Sequence, residues 1–422
     1  MLLVGGVQVT AIAGEHGTPL YIYDGDVIRA RCAAVAEAFP SFDVFYSIKA
    51  NASLGLAGFL RRMGAGVEIA SGGELHLARE AGFDPLDIVF AGPGKTDREI
   101  EDAIVTGIFA INAESVREVE RITRVSRLLG VPARVALRVN TAAGLSNPGA
   151  GSAGPLHERM AGGPSRFGID EERLGRVVEV WNRRAVDIVG VHVYTASQIL
   201  DADEIVENAR RTVAVAKLVE EIAERPIASI DFGGGIGVPH YEDESPVDLP
   251  ALGARVEEVF APYAEADARL IIELGRYLVS ESGVFVSRVV ELKESRGERF
   301  VITDGGVNQF LRPVLMEVDH EARVVNRLGS AGSSVARVGG PLCTPIDATA
   351  RAMTVPDDIA IDDLVGIFNA GAYGYSMSPL LFLSHPTPAE VMVLDGEIVP
   401  LRGRGTYQDI LRNQTPFPGA AR

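Results

Sequence analysis

The chain has 422 residues, 47% of them apolar, and a formal net charge of −17. That length favours two domains over one. So acidic a chain repels nucleic acid and anionic membrane surfaces, and no apolar run is long enough to span a bilayer. The densest basic stretches, Arg61-Arg62 and Arg210-Arg211, are short and read as solvated helix faces. Two cysteines, Cys32 and Cys343, cannot staple a chain of this size. The start, Met1 to Ala13, is apolar without a basic n-region, so it does not read as a signal peptide and the expected location is cytoplasmic.

In chain order, Thr18–Tyr23 is strand-like, and Val27 to Phe39 has helical period with Cys32 as core packing. Short apolar strands then alternate with helical patterns. Strands are predicted at Phe42–Ala50, Gly66–Ser71, Ile88–Pro93, Phe109–Glu114, Arg134–Asn140, Val189–Thr195, Ser229–Gly235 and Arg269–Tyr277. Helical patterns lie between them at Gly73–Ala81, Thr96–Val105, Ser115–Leu129 and Asp203–Glu224. Repeated βα units imply a parallel sheet with right-handed crossovers. Eight in about 250 residues fit a closed (β/α)8 TIM barrel, whereas a doubly wound open sheet, the alternative, usually needs fewer strands.

Thr141 to Pro164 is rich in Gly, Ala, Ser and Pro and predicts a loop at the C-terminal end of the fifth strand. After about residue 278 the texture turns β-rich, with Val284–Leu292, Arg299–Thr303, Leu364–Asn369 and Glu390–Leu394 separated by turn signals at Asp304-Gly305-Gly306 and Asp395-Gly396. The expected organisation is a barrel over 26–277 and an all-β domain over 278–422, joined by 1–25, with a frayed end from Asn413.

Barrel enzymes place reacting groups at the C-terminal ends of strands. The first strand ends in Ser47-Ile48-Lys49-Ala50-Asn51. A lysine there is costly to bury without a task, and burial lowers an amine's pKa, which suits Schiff-base chemistry; a surface lysine just past the strand is an even alternative. The sixth strand contributes His192 and Tyr194, two apart and so on one face, although His192 also reads as a satisfied core histidine. The seventh ends in Gly233-Gly234-Gly235, where backbone amides can approach an anion; the bland reading is a tight turn. The loops after strands seven and eight are where barrels bind phosphate. The eighth ends in Glu273-Leu274-Gly275-Arg276-Tyr277, either a structural ion pair or an arginine for phosphate with the carboxylate placed elsewhere. No spacing of His, Cys and Asp marks a metal site, and neither a dinucleotide fingerprint nor a GxSxG elbow is present.

Together FYSIKAN (45–51), GVEIASGGEL (66–75), FAGPGK (90–95), DFGGGIG (231–237), ELGRY (273–277), GPLCTPID (340–347) and GAYGYSMSP (371–379) resemble the fold-type III pyridoxal-phosphate decarboxylases. That family holds the diaminopimelate, ornithine and arginine enzymes, and the resemblance runs over nearly the whole chain. It implies an alanine-racemase-like barrel with a β-sandwich or barrel domain, pyridoxal 5′-phosphate as cofactor, and amino-acid decarboxylation. Lys49 matches the lysine that holds the cofactor as a Schiff base. Glu273 matches the carboxylate on the pyridine nitrogen, which strengthens the ring as an electron sink. Gly233, Gly234, Gly235, Gly275 and Arg276 match the phosphate site, to which Tyr373 adds from the β domain. Arg138 and Ser197 match residues near the cofactor. Cys343 resembles the acid that reprotonates the substrate carbon and, in this family, comes from the partner subunit, which implies an obligate homodimer with shared sites; the alternative is a small buried thiol.

Three positions depart from the better-known members. Tyr194 stands where a histidine stacks on the ring, with His192 two residues earlier. Thr344 follows Cys343 where the diaminopimelate enzymes carry glutamate and the ornithine enzymes aspartate to receive a distal ammonium. Met316 follows Arg312, a substrate-side candidate, in place of a tyrosine. A buried ammonium without a partner is costly, so free diaminopimelate, lysine and ornithine are disfavoured. GPLCTP, HVYT and SHPTP resemble the butirosin-pathway decarboxylase of a glutamyl group held on an acyl carrier protein, whose tethered substrate has no distal ammonium. Docking such an acidic carrier needs a local basic patch. The rivals are decarboxylation of a free amino acid such as diaminopimelate, an amino-acid racemase, and a non-catalytic cofactor carrier; the racemase would carry a catalytic tyrosine instead of GPLC, and the carrier would lack a β domain.

Overall fold

The computed structural model describes residues 1–141, 161–181, 186–241, 243–328 and 332–418. They fall into two compact units, Arg29–Leu278 and Met1–Ile28 with Val279–Arg422. Most of the predicted Thr141–Pro164 loop lies outside the described residues.

The first unit is a closed barrel. Its strands are β1 (Phe42–Ser47), β2 (Gly66–Ile69), β3 (Ile88–Phe90), β4 (Ala110–Ala113), β5 (Ala133–Asn140), β6 (Val186–His192), β7 (Ser229–Gly234) and β8 (Arg269–Leu274). Every neighbouring pair is parallel, and closure comes from β8 on β1, with Leu270 opposite Phe42 and Leu274 opposite Tyr46. Closure removes the doubly wound alternative. Phe45, Val89, Ala110, Ala136, Val189 and Ile271 fill the interior, so the barrel is a packed core rather than a pore.

Helices start where side chains cap them. Ser71, Thr96, Ser115, Asp201 and Asp248 each accept from a backbone N–H of the first turn, and Thr96 with Glu99 completes a capping box. Each such turn follows the loop after a strand, closely after β2 and β4 and at longer range after β6 and β7.

Several strands stop earlier than their apolar patterns suggest. β1 gives way at Ser47 to a 3-10 turn, Ile48–Ala50, and β8 stops at Leu274 because Gly275 turns the chain into the short helix Arg276–Val279. β6 begins three residues before the predicted Val189, since Val186 and Ile188 pair with Ala133 and Val135. Tyr194 therefore lies past the strand end, and the expected shared strand face with His192 does not apply.

In the second unit the N-terminal strand Leu20–Asp24 pairs antiparallel with Gly283–Ser295 and parallel with Ala389–Leu394. Asp395 and Gly396, both at positive φ, form the tight turn that folds Ala389–Leu394 onto Glu397–Arg402. Asp304-Gly305-Gly306 does not reverse a strand; it opens the loop that leads to the helix Arg312–Met316. Val9–His16 is a helix with no counterpart in the sequence reading. Among the described residues no helix is long and apolar enough to cross a membrane.

Candidate active site

The chemistry-bearing residues of the barrel gather at the C-terminal ends of its strands. The 3-10 turn after β1 carries Lys49, whose Nζ lies 2.7 Å from Glu68 Oε2 on β2. Glu68 is buried while the lysine side chain remains 35% exposed, so the amine stays reachable. The ammonium also lies 5.6 Å from the centroid of the Tyr194 ring, and that ring lies 6.4 Å from His192.

Three buried groups come from adjacent strands of the barrel: His192 on β6, Asp231 on β7 and Glu273 on β8. One ligand-type atom from each lies within 4.8 Å of the others, a grouping of the kind that can hold a metal ion and that no sequence spacing reveals. His192 Nε2 is 3.6 Å from Glu273 Oε2, an ion-pair distance too long for a hydrogen bond. Its Nδ1 lies 3.2 Å from Asn112 Nδ2. Of the two readings of Glu273 and Arg276, the ion pair is not among the described salt bridges; the basic side chain beside Glu273 is His192.

Burial raises the Glu273 carboxyl, but His192, Lys49 and a hydrogen bond from Asp231 outweigh it and hold the group down at about 2. Asp231 moves the other way: burial, and then the Glu273 charge, push it well above the usual carboxylate range. Two buried carboxylates this close cannot both ionise cheaply. Neither Asp231 Oδ2 nor Glu273 Oε1 has a donor among the described residues, and a proton on Asp231 supplies one. The environment thus drives the two carboxyls apart, Asp231 toward its neutral form and Glu273 toward its charged form.

The glycine turn after β7 is demanded by crowding. Gly233 and Gly235 are at φ +67° and +91°, and a Cβ on them would come within 2.7 Å of Val193 O and 2.3 Å of Ala196 O. Asp231 Oδ1 accepts the Gly233 N–H at 2.9 Å, so an anion at this turn would draw on its other amides. Gly275 serves close approach too: a Cβ there would lie 3.0 Å from Ser47 O, and its absence lets the start of the Arg276 helix abut the end of β1. Arg276 is buried. Ser197 lies in the bend after β6, beside the bridge from Ile199 to Ile236.

Arg138 on β5 donates to Glu114 Oε1 at 2.7 Å, and its guanidinium lies 4.9 Å from the Phe167 ring. Glu114 also accepts from Gly92 N and Gly168 N, each at 2.8 Å. Burial raises Glu114, but Arg138 and Lys95 bring it below the ordinary carboxylate range. Lys95 is enclosed by Gly92 O, Asn112 O and Glu118 Oε1 at 2.8, 2.8 and 3.2 Å, and burial lowers its pKa.

In the β-rich unit Cys343 is exposed and Thr344 half-buried. Arg312 is buried with its guanidinium 5.5 Å from the Tyr373 ring, and Tyr373 itself is at φ +55°.

Glu68, Asp231 and the Lys95–Glu118–Glu114 set had no role in the sequence reading. Glu68 left a signal, an acid within a strand whose four residues are all buried. The others depend on which strand ends meet.

Residues 25–280 match the family model described as the pyridoxal-binding domain of pyridoxal-dependent decarboxylases. The chain belongs to the pyridoxal-dependent decarboxylases. Their cofactor is pyridoxal phosphate, and the chain is an enzyme of the carboxy-lyase class. This decarboxylase is 36% identical over 419 residues to the L-glutamyl-[BtrI acyl-carrier protein] decarboxylase of Niallia circulans, covering 96% of each. It is 33% identical to the diaminopimelate decarboxylase of Methanothermobacter thermautotrophicus, over 98% of this chain and 95% of that one. Among solved structures, the Helicobacter pylori diaminopimelate decarboxylase complexed with L-lysine aligns at a TM-score of 0.85 and 30% identity, over 95% of this chain and 98% of that one. The diaminopimelate decarboxylase of M. jannaschii aligns at 0.88 and 29% identity, over 98% of this chain and 95% of that one.

Proposed function

We propose that this decarboxylase carries pyridoxal phosphate on Lys49 and removes the carboxylate from an aminoacyl group tethered to an acyl carrier protein. The observation that carries the attachment is the placement of the chain's four lysines, Lys49, Lys95, Lys217 and Lys293. Lys217 is exposed on the helix Ala202–Ala223, and Lys293 is exposed on the strand Gly283–Ser295 of the other unit. Lys95 is walled in by three acceptors. Lys49 alone combines a strand-end position in the barrel with a reachable amine.

The surroundings of Lys49 fit the cofactor. Glu273, buried yet ionised, suits a protonated ring nitrogen. Arg276 and the turn Gly233–Gly235 offer a cation and amides for phosphate, and Tyr373 is read as a further phosphate partner. The Tyr194 ring, near the lysine, is read as the stacking group, with Arg138 and Ser197 as neighbours. When bound, pyridoxal phosphate would supply an aldehyde for amines and a conjugated ring that accepts the electron pair left on the carbon when CO2 departs. The protein's part is to orient the amine, keep Glu273 charged and keep water from the reacting carbon. Cys343 is read as the donor of the proton that replaces the carboxylate. We place it as the partner's contribution to each site, so the proposed assembly is a homodimer, working in the cytoplasm.

The substrate follows from Thr344 and Met316. Neither can pair with a distal ammonium, whereas a thioester-tethered glutamyl group has none, and the Niallia circulans relative is named for such a substrate. A second reading, decarboxylation of free diaminopimelate, is favoured by the similarity to enzymes of that name.

Borohydride reduction of the loaded enzyme, followed by peptide mapping, should place the cofactor mass on the peptide holding residue 49. CO2 release should then be compared between a glutamyl-carrier protein and free diaminopimelate, lysine and ornithine. Tethered substrate should win; equal or better turnover of free diaminopimelate defeats the carrier reading, and cofactor mass elsewhere defeats the attachment.

A further inference from the structure

We propose that Asp347 is the positioning residue for Cys343, holding the loop on both sides of the thiol and pinning it to the loop after the strand Glu298–Thr303. This rests on the reading of Cys343 as proton donor. In that reaction the bond to the carboxylate breaks and CO2 leaves. The electron pair left on carbon takes the thiol proton, which solvent then returns to sulfur. A donor that must deliver to one face of a carbon needs a fixed backbone, yet Cys343 is exposed on a loop.

The carboxylate of Asp347 supplies that fixity. Its Oδ2 accepts the N–H of Leu342, the residue before the cysteine, at 2.8 Å. Its own N–H donates to the carbonyl of Thr344, the residue after it, at 3.2 Å. Thr344 N in turn donates to Leu342 O at 2.8 Å, closing the turn around the thiol. The other oxygen, Oδ1, accepts the Val307 N–H at 2.8 Å and so ties the turn to the neighbouring loop. Charge-assisted bonds to backbone amides are among the stronger ones.

Glycines leave room for this carboxylate. A Cβ on Gly306 would lie 2.5 Å from Asp347 Oδ1, and one on Gly340 would lie 2.8 Å from Oδ2 and 2.2 Å from the Gly306 Cα. A Cβ on Gly339 would meet Asp347 O at 2.5 Å. The two loops therefore touch through glycine backbones with one carboxylate bridging them, an arrangement that any side chain at these positions would force apart.

The test uses the full chain with Asp347→Asn, Asp347→Ala and Gly340→Ala. The first keeps the shape but turns an NH2 toward one of the two amides; the last wedges the loops from the other side. Two readouts are taken on folded protein. One is the alkylation rate of Cys343 without added cofactor, resolved by peptide mapping from Cys32, whose thiol is pushed up to about 11 by burial. The other is the stereochemical purity of the single deuteron placed at the product carbon in D2O. Asp347→Asn should change the alkylation rate on the order of tenfold and lower the deuteron purity, with kcat falling more than KM. Gly340→Ala should do the same. Unchanged alkylation and unchanged purity in folded Asp347→Asn overturn the proposal. If Cys343→Ser leaves purity intact while alkylation still responds to Asp347→Asn, the proton-donor reading beneath it fails instead, and the positioning role falls with it.

Discussion

Glu68 Oε2 lies 2.7 Å from Lys49 Nζ, so the reachable amine of the barrel is tethered by a carboxylate that solvent scarcely touches. This contact fixes where the amine points before any ligand arrives. Glu68→Gln keeps the shape but removes the charge. It is expected to slow cofactor capture and lower kcat/KM on the order of tenfold, the worth of one charge-assisted hydrogen bond. Stopped-flow measurement of cofactor uptake would check it; wild-type uptake would show that the pair does not orient the amine.

The split between Asp231 and Glu273 gives opposite pH slopes. Glu273 is lowered from 4.5 to about 2 in the fold, so its stabilisation is present above 4.5 and is lost as pH falls toward 2. Asp231 is raised well above 3.8, so the folded chain binds the extra proton; that stabilisation is complete below 3.8 and fades as pH rises through the raised value. Asp231→Asn, which imitates the neutral acid, should gain stability relative to wild type as pH rises from acid to neutral. Parallel denaturant midpoints for the two proteins across that range would mean that Asp231 ionises normally.

Lys95 is a buried cation with three acceptors, one of them the Glu118 carboxylate. Lys95→Met strands Glu118 in the core and is expected to cost about 3–5 kcal/mol. Adding Glu118→Gln should return part of that loss, because the stranded charge is gone. Urea denaturation of the single and double variants decides it; equal stabilities would mean that the Glu118 charge is relieved by other means.

Thr344→Glu introduces a carboxylate beside Cys343 of the kind that can receive a distal ammonium. It should raise kcat/KM for free diaminopimelate at least about tenfold, the worth of one new charge pair, and depress turnover of a tethered glutamyl group. If diaminopimelate turnover does not move, specificity is set elsewhere, with Arg312 and Met316 the next positions to vary.

The barrel was legible because eight apolar runs recur with helical patterns between them, and βα repetition admits few topologies. The ends of the runs were less legible. Apolar character continues through Ile48 and Leu278, but the backbone turns at Ser47 and Gly275, so Lys49 and Arg276 sit on short helical turns instead of strands. Lys49 and Glu273 could be singled out because each ends an apolar run. Glu68 as the lysine's partner could not, since that pairing depends on the register that sets Ser47 opposite Glu68. The upward push on the Asp231 carboxyl was out of reach for the same reason: it needs β7 beside β8. Asp395-Gly396 declared its hairpin, whereas the equally tight Arg296-Gly297 turn, also at positive φ, was not singled out.

The strand Leu20–Asp24 is hydrogen-bonded on one edge to Gly283–Ser295 and on the other to Ala389–Leu394. A ribosome releases that strand before the barrel and both its neighbours after it, so it must wait, unpaired, while the entire barrel is made. Loop-closure entropy over such a span slows the pairing of this sheet relative to the local βα units of the barrel. A nascent chain stalled after the barrel would expose this waiting segment to chaperones and proteases.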